Sequence, residues 1–192
     1  MPENTFAVRA STRWYVRPHA LPTIRRRCRA CPSTELRTQG RFRVNANHKL
    51  LDVWLLALCV ACGDTAKLTV LERGQVRAID PAMLAGFHAN DAALAARLLT
   101  DPQLAHRNGL TLDWSEAWRL DMDPIELPKA DILDVDVTFT HRIPLRTTTL
   151  IALGLDVPRA EVTRHIATGR LTSAEKLTGR RARDFSFVMR WE

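Results

Sequence analysis

The chain has 192 residues, with 28 Lys and Arg against 21 Asp and Glu, a formal net charge of +7 and a pI of about 9.9. Its 26% charged and 46% hydrophobic residues are typical of a folded protein and exclude wholesale disorder. The length suits one large domain or two to three small ones.

No apolar segment has the length that a bilayer requires. The longest apolar run, residues 53–62, is well short of the ~18 residues of a transmembrane helix. The first 14 residues lack the apolar core of a secretory signal. We therefore expect a cytoplasmic protein without membrane contact.

The charge is unevenly distributed along the chain. Residues 1–50 carry 11 basic and 2 acidic side chains, residues 51–141 carry 7 and 14, and residues 142–192 carry 10 and 5. Two basic ends therefore flank an acidic middle. A preference for Arg codons would explain why Arg outnumbers Lys, but not this segregation, which is typical of proteins that bind a polyanion.

In chain order, residues 14–16 are a short strand candidate, and residues 41–44 alternate polar and apolar side chains as a strand does. Residues 45–48 are turn formers. Two further strands are predicted at residues 51–59 and 65–70, so that the segment forms a hairpin with a third strand beside it.

Four cysteines frame this hairpin as two C-x-x-C pairs, Cys28 with Cys31 and Cys59 with Cys62. Two residues between thiols allow a tight turn whose sulfurs face one ion, and four thiolates suit tetrahedral zinc with no open position. Reduced intracellular thiols disfavour disulfides. The pattern predicts a structural zinc site in a zinc ribbon, where the metal replaces part of a small core.

Two other uses of these thiols remain open. A [2Fe–2S] cluster also takes four thiolates, and metal analysis separates it from zinc. A redox pair would leave the second C-x-x-C unused and lacks the βαβ context of such motifs.

The segment from residue 14 to residue 73 resembles a bacterial family known as domain of unknown function 1062. The resemblance lies in the blocks FRVNAN at residues 42–47 and DVWL at residues 52–55, followed by Cys59, Cys62 and Thr65. The family name implies no activity.

The acidic middle is predicted to be helical. Asp80 and Pro81 are typical of a helix start, and apolar residues at helical spacing continue to about residue 99. Asn90 and Asp91 divide this stretch into two helices.

A third helix is predicted from Asp113, because Asp113 and Glu116 resemble a capping box. Trp114 and Trp118 would then share one face, which favours a place in the core. The Pro-rich, acidic residues 121–131 are typical of a linker.

The C-terminal part is predicted to contain a strand at residues 134–140, a helix at 147–155, a second helix that Pro158 begins and Gly169 ends, and a strand at 185–189. This order resembles the RNA-binding module named after the fourth small-subunit ribosomal protein, called the S-four module below. The residues that match its helix-pair motif are Arg146, Leu150, Ile151, Ala152, Leu155, Arg159, Glu161, Val162, Ile166, Gly169 and Leu171.

Arginines are concentrated around both basic ends. Guanidinium groups bind phosphate bidentately and keep their charge at any working pH, although most charge runs are simply solvated surface. The candidate RNA-binding residues are Arg25, Arg26, Arg27, Arg43, Arg146, Arg159, Arg164, Arg170, Arg180, Arg181 and Arg183.

These patterns predict an α+β protein of three parts: a zinc-ribbon-like domain at residues 1–75, an acidic helical segment at 76–130 and an S-four-like module at 131–192. No Walker loop, G-x-S-x-G or H-E-x-x-H motif is present, so no catalytic residue is predicted. We expect the protein to bind structured RNA, ribosomal or transfer RNA, through its basic surfaces. A DNA-binding regulator and a protein-interaction module remain as alternatives.

Overall fold

The computed structural model describes residues 7–124 and 130–191, and within them the chain is α+β. The strands are β1 (Arg9–Pro18), β2 (Thr23–Arg25), β3 (Glu35–Asn47), β4 (Leu50–Cys59), β5 (Thr65–Gln75), β6 (Thr111–Asp113), β7 (Trp118–Met122), β8 (Ile132–Phe139), β9 (Leu145–Arg146), β10 (Leu171–Thr172), β11 (Arg180–Arg181) and β12 (Phe185–Arg190). The helices are α1 (Pro81–Ala89), α2 (Ala92–Leu99), α3 (Pro102–Asn108), α4 (Thr147–Leu155) and α5 (Arg159–Ala167), and a short 3-10 turn spans Val76–Ala78. None of these helices, which are those of the described ranges, is long and apolar enough to cross a membrane.

Contacts divide the chain into two compact units. Unit 1 combines residues 1–20 with residues 118–192, and unit 2 is residues 21–117. These limits differ from the expected boundaries at residues 75 and 130. The difference arises because β1 pairs with strands that follow it by more than 100 residues, and because the helices of the middle segment cover the sheet that carries the cysteines.

Unit 1 is built on a five-stranded sheet of order β10-β12-β8-β1-β7. β1 runs parallel to β8 and antiparallel to β7, and β12 is antiparallel to β8. The strands predicted at residues 134–140 and 185–189 are therefore present. The strand predicted at residues 14–16 is present but longer, and it belongs to this sheet rather than to the sheet of the cysteines.

The core of unit 1 forms around Trp14, which is 1% exposed and meets the Phe187 ring edge-to-face at 5.3 Å between centroids. Helix α4 approaches this indole so closely that a Cβ on Gly154 would lie 2.3 Å from a ring carbon of Trp14. Gly154 is therefore required for packing, not for ending the helix. The helix ends one residue later, and Asp156 adopts the left-handed conformation beyond it.

The two C-terminal helices agree with the sequence prediction. α4 begins directly after Arg146, and α5 begins after Pro158. Gly169, with φ +72°, follows the end of α5 in the left-handed region that glycine adopts without strain.

Unit 2 is built on a second five-stranded sheet, of order β5-β4-β3-β2-β6. The hairpin predicted around residues 41–59 is present as β3 and β4. Its turn is tighter than expected, because strand pairing continues to Asn47 opposite Leu50 and leaves only His48 and Lys49 to turn. His48 has φ 54° in that turn.

Helices α1 and α2 begin as predicted. The carboxylate of Asp80 accepts the Met83 N–H at 2.9 Å, and that of Asp91 accepts the Leu94 N–H at 2.9 Å. Asp101 does the same for α3, which was not predicted, by accepting the Gln103 N–H at 2.8 Å. These helices bury their apolar side chains against the sheet in two clusters that include Leu55, Leu68, Phe87, Leu94 and Leu99.

The helix predicted from Asp113 is wrong. Residues 111–113 pair with β2 as strand β6, and the Asp113 carboxylate accepts the Ser115 N–H at 3.0 Å, which turns the chain instead of starting a helix. Trp114 is buried in that turn, and Trp118 begins β7. Of the predicted linker, residues 121 and 122 belong to β7, and residues 125–129 lie outside the described residues.

Candidate metal centre and basic surfaces

The four cysteines meet at one end of the unit 2 sheet. Cys28 and Cys31 lie in the loop between β2 and β3, Cys59 is the last residue of β4, and Cys62 lies in the turn to β5. The register of the β3–β4 hairpin explains why the four cysteines lie together. Leu36 pairs with Cys59, which brings the β2–β3 loop and the β4–β5 turn to the same end of the sheet.

The sulfur atoms have the spacing of a four-thiolate metal site. All four Sγ atoms lie within 4.8 Å of one another, with Cys28 to Cys62 at 3.7 Å and Cys31 to Cys59 at 3.6 Å. Tetrahedral zinc with Zn–S bonds of about 2.3 Å requires sulfurs about 3.8 Å apart. The cluster therefore fits a metal ion and is compatible with zinc.

Backbone hydrogen bonds hold both loops in this shape. The Cys28 N–H donates to Ser33 O at 2.8 Å, and the Cys59 N–H donates to Asp64 O at 2.8 Å. The Gly63 N–H, at a residue with φ +75°, donates to Cys59 O at 3.0 Å and closes a tight turn around the second pair.

Backbone N–H groups and neighbouring thiols shift the pKa values of the Cys59 and Cys62 thiols. The N–H of Cys62, and then that of Ala61, lower the pKa of the Cys59 thiol to about 6. The Asp64 N–H lowers the pKa of the Cys62 thiol, but hydrogen bonds with the neighbouring thiols, Cys31 foremost, and desolvation raise it to about 12. Four thiols this close cannot all ionise unless a cation compensates their charge. A divalent ion held by Cys28, Cys31, Cys59 and Cys62 would supply that charge and close both loops.

The candidate arginines differ in whether a carboxylate of the protein pairs with their charge. Three of them form ion pairs: Arg25 with Glu35 and Asp113, Arg164 with Glu161, and Arg181 with Glu175. Arg181 also stacks on Phe185, with its guanidinium carbon 5.4 Å from the ring centroid. These three charges are balanced inside the protein.

The other candidate arginines form no ion pair within residues 7–124 and 130–191. They are Arg26, Arg27 and Arg43 in unit 2, and Arg146, Arg159, Arg170, Arg180 and Arg183 in unit 1. All but Arg26 are exposed. The charges of the exposed members face solvent, where a ligand can reach them.

A cavity of unit 1, of about 1,190 Å³, lies against part of this set. It is lined by Arg142, Arg180, Arg181, Arg183, Glu175 and Asp184, among others. The Asp184 carboxylate accepts the Phe139 N–H at 2.8 Å, and Glu175 is paired with Arg181. Both acids are therefore engaged by the protein itself, and the cavity is left with a positive surplus.

Sequence reasoning did not single out Arg142 or, in unit 2, Trp54 and Lys67. The Lys67 ammonium lies 5.2 Å from the centroid of the Trp54 ring. Trp54 stands at an outward position of β4, which alternates with the buried Val53 and Leu55. That alternation was the signal that could have identified it.

The fold and site define an α+β protein of two units, one of which carries a four-cysteine cluster able to hold a metal ion. The chain belongs to the family described as "Protein of unknown function (DUF1062)", which matches residues 44–177. The matched span includes Cys59 and Cys62 and begins after Cys28 and Cys31. No curated protein and no solved structure is significantly similar to the chain.

Proposed function

We propose that this protein binds structured RNA, ribosomal or transfer RNA, as a non-catalytic accessory protein. In this proposal, unit 2 is a zinc ribbon held by structural zinc, and the C-terminal part of unit 1 is an S-four-like module. The observation that carries the proposal is the juxtaposition of Arg146 and Arg180.

Arg146 of β9 and Arg180 of β11 are direct cross-strand partners. Like charges placed opposite each other destabilise a strand pair. Both side chains are exposed, and no carboxylate of the described residues pairs with either of them. The only polar contact of the Arg180 guanidinium in those residues is a long one, to Pro144 O at 3.4 Å.

The position of Arg146 adds to this local excess of positive charge. It is the residue before α4, and a helix N-terminus already carries partial positive charge. The two guanidinium groups and the N-terminus of α4 repel one another. A phosphate bound between them would replace this repulsion by attraction to all three. Arg142 and Arg183 line the adjacent cavity and extend the same surface.

The helix pair supports an S-four-like arrangement. Most residues that match the motif fall on α4 and α5. Arg146 is the last residue of β9, directly before α4, and Gly169 and Leu171 lead from α5 into β10. Arg159 and Arg170 are exposed at the start of α5 and just before β10. Exposed arginines in these positions suit contacts with the phosphate backbone of RNA, because RNA helices are recognised mainly by their shape and their phosphates.

The decisive test is RNA binding by the variant R146Q/R180Q. We expect the unaltered protein to bind a fluorescent transfer RNA, measured by anisotropy, with an affinity that falls steeply as salt rises. The double variant should bind about tenfold more weakly and lower the slope of log affinity against log salt by about 2.

Arg119→Gln is the matched control. Arg119 also lies in unit 1 and is exposed, but it pairs with Asp121 at 3.1 Å. The control should bind as the unaltered protein does. Equal loss in both variants, or no RNA binding at low salt, would contradict the proposal. Tighter binding to duplex DNA than to RNA at the same salt would favour a DNA-binding regulator instead.

A further inference from the structure

A second concentration of positive charge lies beside the cysteine cluster, in a cleft that the RNA-binding proposal does not use. The cleft has a volume of about 350 Å³ and lies between residues 26–29 on one side and residues 64–69 of β5 and the turn before it on the other. Trp54 forms part of its wall. This size falls within the range of small-ligand pockets. We call it the basic cleft.

Four cations line the basic cleft: Arg26, Arg27, Arg29 and Lys67. Its one acidic lining residue is Asp64. None of the four cations forms an ion pair in the described part of the chain. An ordinary surface would separate such charges or pair them with carboxylates.

Arg26 has a further property. Its Nη1 atom is buried and has no hydrogen-bond partner among the described residues. A buried polar hydrogen without an acceptor costs free energy, and native structures contain few of them. An acceptor group bound in the basic cleft, which Arg26 lines, would provide the missing partner after a small movement of the side chain.

Charge compensation of the metal centre does not account for all four cations. Four thiolates around a divalent ion carry a net charge of −2, and Asp64 adds −1. The four cations carry +4, so the basic cleft keeps a positive charge even when the centre is loaded. A rigid, metal-fixed loop would also present the three arginines with little ordering cost on binding.

Trp54 indicates which chemical group of the ligand lies next to its anionic group. Its half-buried ring lines the same cleft, and Lys67 lies over it. An aromatic wall next to a phosphate-binding set of guanidinium groups is the combination that binds nucleotides, because the bases stack on aromatic rings. The hydroxyl of Thr65, also at the cleft, offers a further donor.

We propose that the basic cleft binds the phosphate of a nucleotide through Arg26, Arg27, Arg29 and Lys67, with the base against Trp54. The nucleotide is either free or the end of an RNA strand, since both present the same phosphate and ring. The proposal concerns unit 2 and stands independently of Arg146 and Arg180 in unit 1.

The test uses the full-length protein, with its metal content measured, and isothermal titration at low salt. The probes are adenosine monophosphate, ribose 5-phosphate and a 5′-phosphorylated ten-nucleotide uridine RNA. We expect at least one of the monophosphate and the RNA to bind, and the double variant R29Q/K67Q to raise that Kd at least tenfold. Both substituted residues are exposed, so this variant should fold.

Arg97→Gln is the control, because Arg97 is an exposed arginine of α2 in the same unit and outside the basic cleft. It should change the Kd by less than twofold. Binding of the monophosphate indicates a free nucleotide as the ligand, and cleft-dependent binding of the RNA alone indicates a strand end.

Three results would overturn the inference. The first is that neither the monophosphate nor the RNA binds. The second is that R29Q/K67Q and R97Q have the same Kd while their metal content is equal. The third, which would remove the role of Trp54, is that ribose 5-phosphate binds as tightly as the monophosphate. Loss of transfer RNA binding in R146Q/R180Q with an intact basic cleft would leave the inference standing.

Discussion

At the scale of single residues, five of the acidic side chains of residues 51–141 have structural roles. Asp80, Asp91 and Asp101 cap three consecutive helices, and Asp52 accepts the Arg73 N–H at 2.7 Å. Asp113 accepts hydrogen bonds from Ser115 and Arg25. Part of the acidity of residues 51–141 therefore follows from how the helices begin and how the turns beside them are held.

Gly154 is the residue whose substitution is most directly predicted. Gly154→Ala would drive a methyl group into the buried Trp14 ring, which also packs against the Phe187 ring. We expect a loss of about 1–3 kcal/mol in the free energy of unfolding, the usual cost of overpacking a core. Urea denaturation followed by circular dichroism measures it.

Leu153→Ala is the control for that prediction, because Leu153 is 56% exposed on the same helix. It should change stability by no more than about 0.5 kcal/mol. Equal stability of Gly154→Ala and the unaltered protein would show that α4 and Trp14 do not approach each other as described.

At the scale of elements, the sequence predicted what alternation and capping encode. Strands β3, β4, β8 and β12 and helices α1, α2, α4 and α5 were all expected. The pairing of β3 with β4 was expected from the short turn between them, but the distant partners of β8 and β12 were not, because a strand's pattern of buried side chains is the same whichever strand it pairs with. β1 illustrates this: residues 14–16 were expected to be a strand, yet nothing local specified β8 as the neighbour.

Prediction of the candidate sites had the same limit as prediction of the strand partners: contacts between distant parts of the sequence have no local signal. The spacing of two C-x-x-C pairs predicted a four-cysteine cluster because the chemistry requires that spacing, and the cluster is present. The basic cleft could not be predicted, because Arg26 and Lys67 are 41 positions apart and meet only through the fold. Nor could composition show that Arg25, Arg164 and Arg181 are already paired.

The pairing of β2 with β6 is strengthened by Asp113, and this gives a pH-dependent prediction. The Ser115 N–H, and then the Arg25 guanidinium at 2.7 Å, lower the pKa of Asp113 to about 2. A carboxyl whose pKa is lower in the folded state stabilises the protein above its unfolded pKa of about 3.9, and the effect is lost as pH falls towards 2.

Asp113→Asn should therefore lower stability at pH 7 by about 1 kcal/mol, a value discounted for partial exposure. The difference from the unaltered protein should shrink between pH 4 and pH 2, as measured by urea midpoints. Glu116→Gln is the control, since Glu116 is exposed and forms no ion pair within the described ranges. A difference that is independent of pH would contradict the ion-pair explanation.

At the scale of the whole molecule, folding removes the charge segregation seen along the chain. Unit 1 carries 15 basic and 12 acidic residues, net +3, and unit 2 carries 13 and 9, net +4. Both units are mildly basic, and the concentration of charge arises locally, around Arg146 and Arg180 in one unit and at the basic cleft in the other. Charge patterning along a sequence therefore does not locate the charged surfaces of the folded protein.

Metal removal should affect the two units differently. The cysteine cluster belongs wholly to unit 2, so chelation should open its β2–β3 and β4–β5 loops and destabilise residues 21–117, because binding energy at such a site is folding energy. Hydrogen exchange read by mass spectrometry should show lost protection in unit 2 and retained protection in β8 and β12.

Elemental analysis provides the matching control. We expect about one zinc per chain before chelation, and iron in its place would indicate an iron–sulfur cluster. A chain with neither metal, or one whose exchange pattern is the same with and without chelator, would contradict a structural metal.

The interior position of β1 in its sheet, between β8 and β7, has a consequence for biosynthesis. β1 precedes unit 2 in the sequence, yet both of its neighbours, β7 and β8, are encoded after the whole of unit 2. At about 5–20 residues per second, β1 waits roughly 5–20 s without a partner. Unit 2 is contiguous and can fold during that interval, so it shortens the effective separation of the strands that flank it. We therefore expect unit 2 to fold first, and β1 to take its place between β8 and β7 only after the strands that follow unit 2 have been synthesised.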